Sequence, residues 1–240
     1  MTNKEFKITI ITVTFNAVDS IEKTILSVIA QDFENKEYII IDGGSNDGTL
    51  DIIKRYESHI NRWIIEPDNG IYDAMNKGLS MAKGEWISFM NAGDVFASST
   101  VISSLFRAPA TKDTLCIYGN HTLKYNEESK TIVALPPRFL KERFVFCHQA
   151  SILRNLGFRF RTDLKICADY ALFREIYEKY GDPAFCYWPI VVSINDAYGI
   201  SSVQNRRRRK ENISIIALYD KKRAVRENVE FFFAKLLGRI

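Results

Sequence analysis

"ITIITVTFN", residues 8–16, is a run of isoleucine, valine and threonine closed by an asparagine. β-Branched residues favour extended backbone. The run is too continuous for a strand wetted on one face, so it reads as a parallel strand covered on both. Working outward, Asp19 or Ser20 is placed to cap a helix through about Gln31. "EYIIID", residues 37–42, is a second strand broken by Gly43-Gly44, and a helix follows over 49–58. A strand "RWIIE" at 62–66, a helix over 71–82 and a strand "EWISFMN" at 85–91 complete the series. Strands alternating with helices through short Gly/Asp/Asn loops predict right-handed βαβ units and a parallel sheet.

Beyond residue 110 the alternation is lost. "TLCIYGNHTLKY" and "KTIVALP" read as a strand pair, residues 142–155 are mixed, "DYALFREIYEKY" is an amphipathic helix, and "AFCYWPIVVSIND" is a further strand region. No stretch of 18 apolar residues and no secretory pattern is present, which predicts a cytoplasmic protein. The four cysteines form no CxxC pair and read as buried free thiols of a reducing compartment.

Charge is unevenly distributed. Residues 204–240 hold 11 Lys/Arg against 4 Asp/Glu, whereas residues 1–203 hold 22 against 25. The basic run "NRRRRKEN" at 205–212 has no aromatic stacking platform beside it, so nucleic acid is not the expected partner. Downstream, Val225, Val229, Phe232, Leu236 and Ile240 recur at helical spacing among Arg and Lys. Such a basic amphipathic helix suits an anionic membrane surface; packing onto its own domain or onto a second subunit, as a homodimer, is the other reading.

In parallel α/β sheets ligands bind beyond the carboxyl ends of the strands. Thr14-Phe15-Asn16, Asp42-Gly43-Gly44-Ser45, Glu66-Pro67-Asp68 and Asn91-Ala92-Gly93-Asp94 each follow a strand directly. Any one of these is an ordinary turn; together they converge on one rim. GxGxxG after the first strand and GxxxxGK[ST] are both absent, which excludes the dinucleotide and P-loop cradles. Acidic strand ends without such loops suit phosphates neutralised by a bound cation, and Mg²⁺ commonly needs only one or two protein carboxylates.

"ITVTFN", "IIIDGGSNDGTLDII", "NKGLSMAKGEWISFMNAGD", the His148-Gln149 pair and "CADYALFREI" lie in the order and spacing of a known group. The chain resembles the family 2 glycosyltransferases of the GT-A fold, inverting bacterial enzymes that use nucleotide sugars. The resemblance spans about residues 6–202 and is most specific over the first 95; "EPDNGIYDAMNKG" is similar to a branch acting in cell-surface polysaccharide assembly. It implies a Rossmann-like, mostly parallel sheet flanked by helices, in one domain over 1–203. A nucleotide-binding half (1–95) and an acceptor half (96–203) precede a helical tail (204–240).

By the same resemblance Thr14 and Asn16 lie beside the nucleotide, Asp42 bonds the base, and Asp68 and Asn76 line its pocket. Asn91 joins these nucleotide contacts, and Asp94 holds a divalent cation, Mg²⁺ or Mn²⁺. Asn91 and Gly93 stand where many relatives carry aspartates, so weak metal affinity is expected until substrate diphosphate completes the site. Asp169 is the expected catalytic base, although a helix N-terminus also attracts aspartate as a cap. His148 and Gln149 fall on the acceptor and donor side, with a core histidine as the plainer reading, and Tyr198-Gly199-Ile200-Ser201 resembles a loop that closes over the donor. The expected reaction moves a sugar from a nucleotide diphosphate, UDP before GDP, to a hydroxyl of a glycan or lipid-linked acceptor. The alternatives are a catalytically silent nucleotide-sugar-binding module and a sugar-phosphate nucleotidyltransferase.

Overall fold

The computed structural model describes residues 7–198 and 205–236, with side chains as far as Phe232. The first half is built from β1 (Ile8–Thr14), α1 (Ile21–Ile29), β2 (Lys36–Asp42), α2 (Thr49–Arg55), β3 (Arg62–Ile65), α3 (Ile71–Met81) and β4 (Trp86–Phe89). Each element lies where periodicity and loop chemistry place it. All seven residues of β1 are buried, as its unbroken β-branched run requires. Pairing in this half is parallel, with β1 between β2 and β4 and β3 outside β2.

The second half contains β5 (Val95–Phe96), α4 (Val101–Leu105), β6 (Cys116–Tyr125), β7 (Glu128–Ile132), β8 (Ser151–Arg154), α5 (Ala168–Tyr180) and β9 (Phe185–Asp196). Strand order is β3-β2-β1-β4-β8-β6-β9-β5, with β7 paired to β6. Antiparallel pairing enters here: β8 runs against both β4 and β6, β7 returns from β6 as a hairpin, and β5 runs against β9. Residues 142–155, which lack a clear period, thus supply the strand that joins the two halves of the sheet.

Two apolar layers cover the sheet. One gathers Ile11, Ile39, Met75, Phe89, Leu153, Tyr170 and Phe173 beneath α3 and α5, and the other gathers Ile10, Ile25, Tyr38, Ile40, Ile53 and Ile102 beneath α1, α2 and α4. α3 presses closely on β1, since a methyl group added at Gly78 would stand 2.6 Å from Ile11 Cγ2.

The chain closes with α6 (Asn205–Tyr219) and α7 (Lys221–Leu236). α6 is no loose appendage, because Ile215 belongs to the layer beneath α3 and α5. α7 packs on α6 through Ile213, Ile216, Ala224 and Phe231. Val225, Val229 and Phe232 of the expected apolar stripe are exposed, whereas the Leu236 side chain and Ile240 lie outside the described residues. No helix among the described residues is long and apolar enough to cross a membrane.

Candidate active site

The strand register sets the rim. Thr14 pairs with Asp42 and Asp42 with Ile65, so β1, β2 and β3 end level with one another. Beyond β4 the chain stays beside β1, where Ala92 N–H donates to the Val13 carbonyl at 3.1 Å. The four polar clusters therefore share one edge, as predicted.

Asp42 is fully buried. Its Oδ1 accepts from the N–H groups of Gly44 (2.9 Å) and Ser45 (2.7 Å), and its Oδ2 accepts from Ser45 Oγ (2.6 Å). Ser45 Oγ in turn accepts from Asn16 N–H at 2.7 Å, and Asn16 Oδ1 accepts from Asn46 N–H at 3.0 Å. Asp42 and Asn16 thus knit the loops after β1 and β2 together. Asn16 holds a left-handed conformation (φ 47°), which asparagine tolerates better than most residues. Phe15 between them is 61% exposed, a large ring left on the rim.

Asp68 Oδ1 accepts from Gly70 N–H at 2.8 Å, and a methyl at Gly43 would stand 2.4 Å from Asp68 Oδ2. A side chain at position 43 would therefore displace this carboxylate from where it stands. Asn76 clamps the backbone of Phe160, donating to its carbonyl and accepting from its N–H, both at 2.8 Å. Thr14 Oγ1 is buried without a hydrogen-bond partner.

The turn after β4 is fixed from α1. Thr24 Oγ1 donates to the Asp94 carbonyl at 2.7 Å and accepts from Gly93 N–H at 3.0 Å, while Gly93 adopts φ +100°. Asp94 Oδ2 accepts from Gln149 Nε2 at 2.7 Å. Burial pushes the Asp94 carboxyl above its usual range, against the opposing effect of hydrogen bonds including that from Gln149.

Next to it runs a polar chain. Asp169 Oδ2 lies 2.9 Å from His148 Nδ1, and His148 Nε2 lies 3.3 Å from Asn91 Nδ2. The tautomer with a proton on Nδ1 satisfies both contacts, donating to the carboxylate and accepting from the amide. Asp169 Oδ1 accepts from Tyr170 N–H at 2.8 Å and lies 3.2 Å from the Tyr72 hydroxyl, which also reaches the Ile166 carbonyl at 2.7 Å. Burial, with Asp169 adjacent, holds the Tyr72 hydroxyl well above its usual pKa, so it stays a donor.

Hydrogen bonds therefore gather Asn91, His148 and Asp169 into one chain and Asp94 with Gln149 beside it. Asp42, Asp68 and Asn16 stand along the rim, and Asn76 supports it from α3. Tyr198 packs edge-on against Tyr125, and Gly199, Ile200 and Ser201 lie outside the described residues. Sequence reasoning missed Thr24 and Tyr72, since one hydroxyl on a helix carries no signal of what lies across the fold.

No group of three or more His, Cys, Asp or Glu among the described residues is arranged to hold a metal. The donors beyond β4 nevertheless fit a hard cation that brings other oxygen ligands with it. Asn91 turns its Nδ2 towards His148, leaving its buried Oδ1 without a partner. Burial disfavours the Asp94 charge, a cost that a neighbouring cation offsets.

The model of the family described as "Glycosyl transferase family 2" matches residues 9–181. A PGL/p-HBAD biosynthesis glycosyltransferase of Mycobacterium bovis is 31% identical over 158 residues, 61% of this chain and 58% of that protein. The chain spans about half the length of the curated relatives it matches. Among solved structures, S. aureus TarS 1–349 in complex with UDP-GlcNAc superposes with TM-score 0.68 at 16% identity, covering 95% of this chain and 72% of that one. Glucosyl-3-phosphoglycerate synthase from Mycobacterium tuberculosis, with Mn²⁺, UDP and glucosyl-3-phosphoglycerate, gives TM-score 0.63 at 13% identity, covering 88% and 79%. At these identities the likeness is one of fold, and that fold is of the GT-A type.

The raised Asp94 carboxyl predicts a stability effect separable from activity. A folded-state pKa above the unfolded value means that ionised Asp94 destabilises the metal-free fold at neutral pH. Asp94→Asn should raise the thermal midpoint of the metal-free protein at pH 7, by about 2–4 °C for each kcal/mol relieved. The gain should vanish as pH falls through the folded pKa towards the ordinary value of 3.8. Differential scanning calorimetry across that range checks the sign; a lower midpoint at pH 7 contradicts it.

Proposed function

From the premise that the chain belongs to glycosyltransferase family 2, we propose that it transfers a sugar from a UDP-sugar to a hydroxyl of a glycan or lipid-linked acceptor, with inversion. The observation that carries this reading is the hydrogen-bonded chain from Asn91 through His148 to Asp169, beside Asp94. It supports a division of labour in which Asp169 abstracts the proton and Asp94 faces a cation. Solved structures of this fold holding UDP and UDP-GlcNAc support the donor class, and the relative named for PGL/p-HBAD biosynthesis supports a biosynthetic role.

The mechanism assigns each residue a task. Phe15 offers its exposed ring to stack on the base, while Asp42 and Asn16 hold the loop that frames it. Asp68 stands against the same loop at Gly43, Thr14 brings its unpartnered Oγ1 to the end of β1, and Asn76 anchors Phe160, whose ring packs on that of Tyr72. Asp94, with the unpartnered oxygen of Asn91, would hold a divalent cation. Once bound, that cation supplies positive charge against the departing diphosphate. Asp169 takes the proton of the acceptor hydroxyl as its oxygen forms a bond to the anomeric carbon and the bond to the diphosphate oxygen breaks. His148, donating from Nδ1, orients the carboxylate, and Gln149 orients Asp94.

Two substitutions should fail differently. Asp169→Asn should keep UDP affinity and its Mn²⁺ dependence but slow transfer by about 10²–10⁴-fold. Asp94→Asn should also be slow, and should bind UDP equally with and without Mn²⁺. UDP release from UDP-glucose, UDP-galactose and UDP-N-acetylglucosamine, together with calorimetric UDP titrations, measures both. No release from any donor, with UDP still bound, would indicate a silent binding module.

The working place proposed is the cytoplasmic face of a membrane. On α7 the exposed Val225 and Val229 lie among exposed Lys221, Lys222 and Arg226, an apolar strip within a basic border. Each cation near an anionic surface contributes about 1 kcal/mol, and salt screens it. The full chain should sediment with phosphatidylserine vesicles at low salt, and Val225→Glu with Val229→Glu should abolish this while UDP binding persists. A chain that ignores the vesicles leaves the strip to a second copy, and the Val225→Glu, Val229→Glu variant then separates dimer from monomer in sedimentation.

A further inference from the structure

Glu211 closes the run "RRRRKE" as the one acidic residue after five bases, and it is buried on α6. A carboxylate out of water is costly unless donors saturate it. Here Oε1 accepts from Lys165 N–H at 2.9 Å, and Oε2 accepts from Ile166 N–H at 2.9 Å and Cys167 N–H at 3.0 Å. Arg207, one turn back on α6, adds its Nε at 3.1 Å to Oε1. Three successive backbone N–H groups thus converge on one side chain contributed from 44–46 residues away.

Those three residues are the entry to α5, whose second residue is Asp169. From the other side the Tyr72 hydroxyl bonds the Ile166 carbonyl at 2.7 Å and lies 3.2 Å from Asp169 Oδ1. The segment is therefore gripped on its N–H groups by Glu211 and on its carbonyl by Tyr72. Charge-assisted bonds of this kind are about twice as strong as neutral ones. A carboxylate at this end of α5 also complements the helix dipole. Cys167 precedes Asp169 by two residues, so fixing the backbone of 165–167 fixes the direction from which the Asp169 carboxylate emerges.

We propose that Glu211 is a positioning residue for sugar transfer, holding the start of α5 so that Asp169 meets the acceptor hydroxyl. The inference rests on the reading of Asp169 as the base. It makes α6 part of the catalytic unit, because the helix carrying the basic run also sets the aim of the base. The carboxylate, and not only the packing of Ile215, is what couples α6 to the site.

The test uses the full-length chain with Glu211→Gln, which keeps the side-chain shape but exchanges one acceptor oxygen for an amide. UDP release from UDP-glucose, UDP-galactose and UDP-N-acetylglucosamine is expressed per UDP-binding site, the sites being counted by calorimetric titration. A merely structural role lowers the number of sites and leaves the rate per site intact. The positioning role predicts a rate per site about 10–100-fold lower, as small misplacements of reacting groups cost, with unchanged UDP affinity. Faster amide exchange at Ile166 and Cys167 should accompany it. An unchanged rate per site overturns the proposal. If Glu211→Gln does not fold, Arg207→Ala, which leaves the carboxylate but removes one of its donors, takes its place with the same two outcomes. Asp169→Asn measured in parallel separates the readings: if it retains full rate, the assignment of the base is wrong, and with it this inference. A slow Asp169→Asn beside an unimpaired Glu211→Gln overturns the positioning role alone.

Discussion

Between the ring of His148 and the carboxylate of Asp169 runs a bond of 2.9 Å, and the site is organised about it. Asp169 comes from α5 and His148 from the turn before β8, and through Asn91 the same ring reaches the end of β4. β8 lies between β4 and β6, so it fixes how far apart the parallel and antiparallel halves of the sheet stand. The imidazole can span that gap only while both of its nitrogens are partnered. A half-satisfied network in a partly buried site is worse than an apolar one, which gives this arrangement a single preferred geometry.

Around that bond the rim carries local costs that the rest of the fold offsets. Thr14 Oγ1 and Asn91 Oδ1 are buried without partners, burial raises the Asp94 carboxyl, and Asn16 adopts positive φ. Unmet polar groups of this kind concentrate where a ligand completes the structure. In the sheet itself Ser88 Oγ on β4, His121 Nδ1 on β6 and Arg154 Nε on β8 are also buried without partners, whereas the covering layers are apolar. Isoleucines from β1 and β2 fill both covering layers, and a buried Glu37 accepts from Thr9 Oγ1 at 2.6 Å and from Lys83 N–H at 2.8 Å at the opposite end of the strands.

The first half of the fold was legible because its signals are local. A buried parallel strand, an Asp-Gly-Gly break and a helical period each need only a dozen neighbouring residues to be read. β8 was not legible, since Ser151–Arg154 is too short for a period and becomes a strand through partners on β4 and β6. Within the site, Asn91, Asp94, His148, Gln149 and Asp169 could be picked out by resemblance, but not the bonds that join them. Asp42 and Asn76 show the opposite case. Short polar side chains satisfy nearby backbone first, so residues that resemble ligand contacts appear here as supports of a loop and of Phe160. Glu211 left one trace, an acid in a basic run, and only the fold shows what it faces.

A crystal structure of the full chain with UDP and Mn²⁺, with anomalous data locating the manganese, tests the assignment of Asp94 and of the rim. One manganese peak is expected at coordinating distance from Asp94 and from the diphosphate, with the uracil against Phe15 and Asp169 still bonded to His148 on the open side of the site. A manganese bound away from Asp94, or UDP seated elsewhere than the rim formed by β1, β2 and β4, would contradict it.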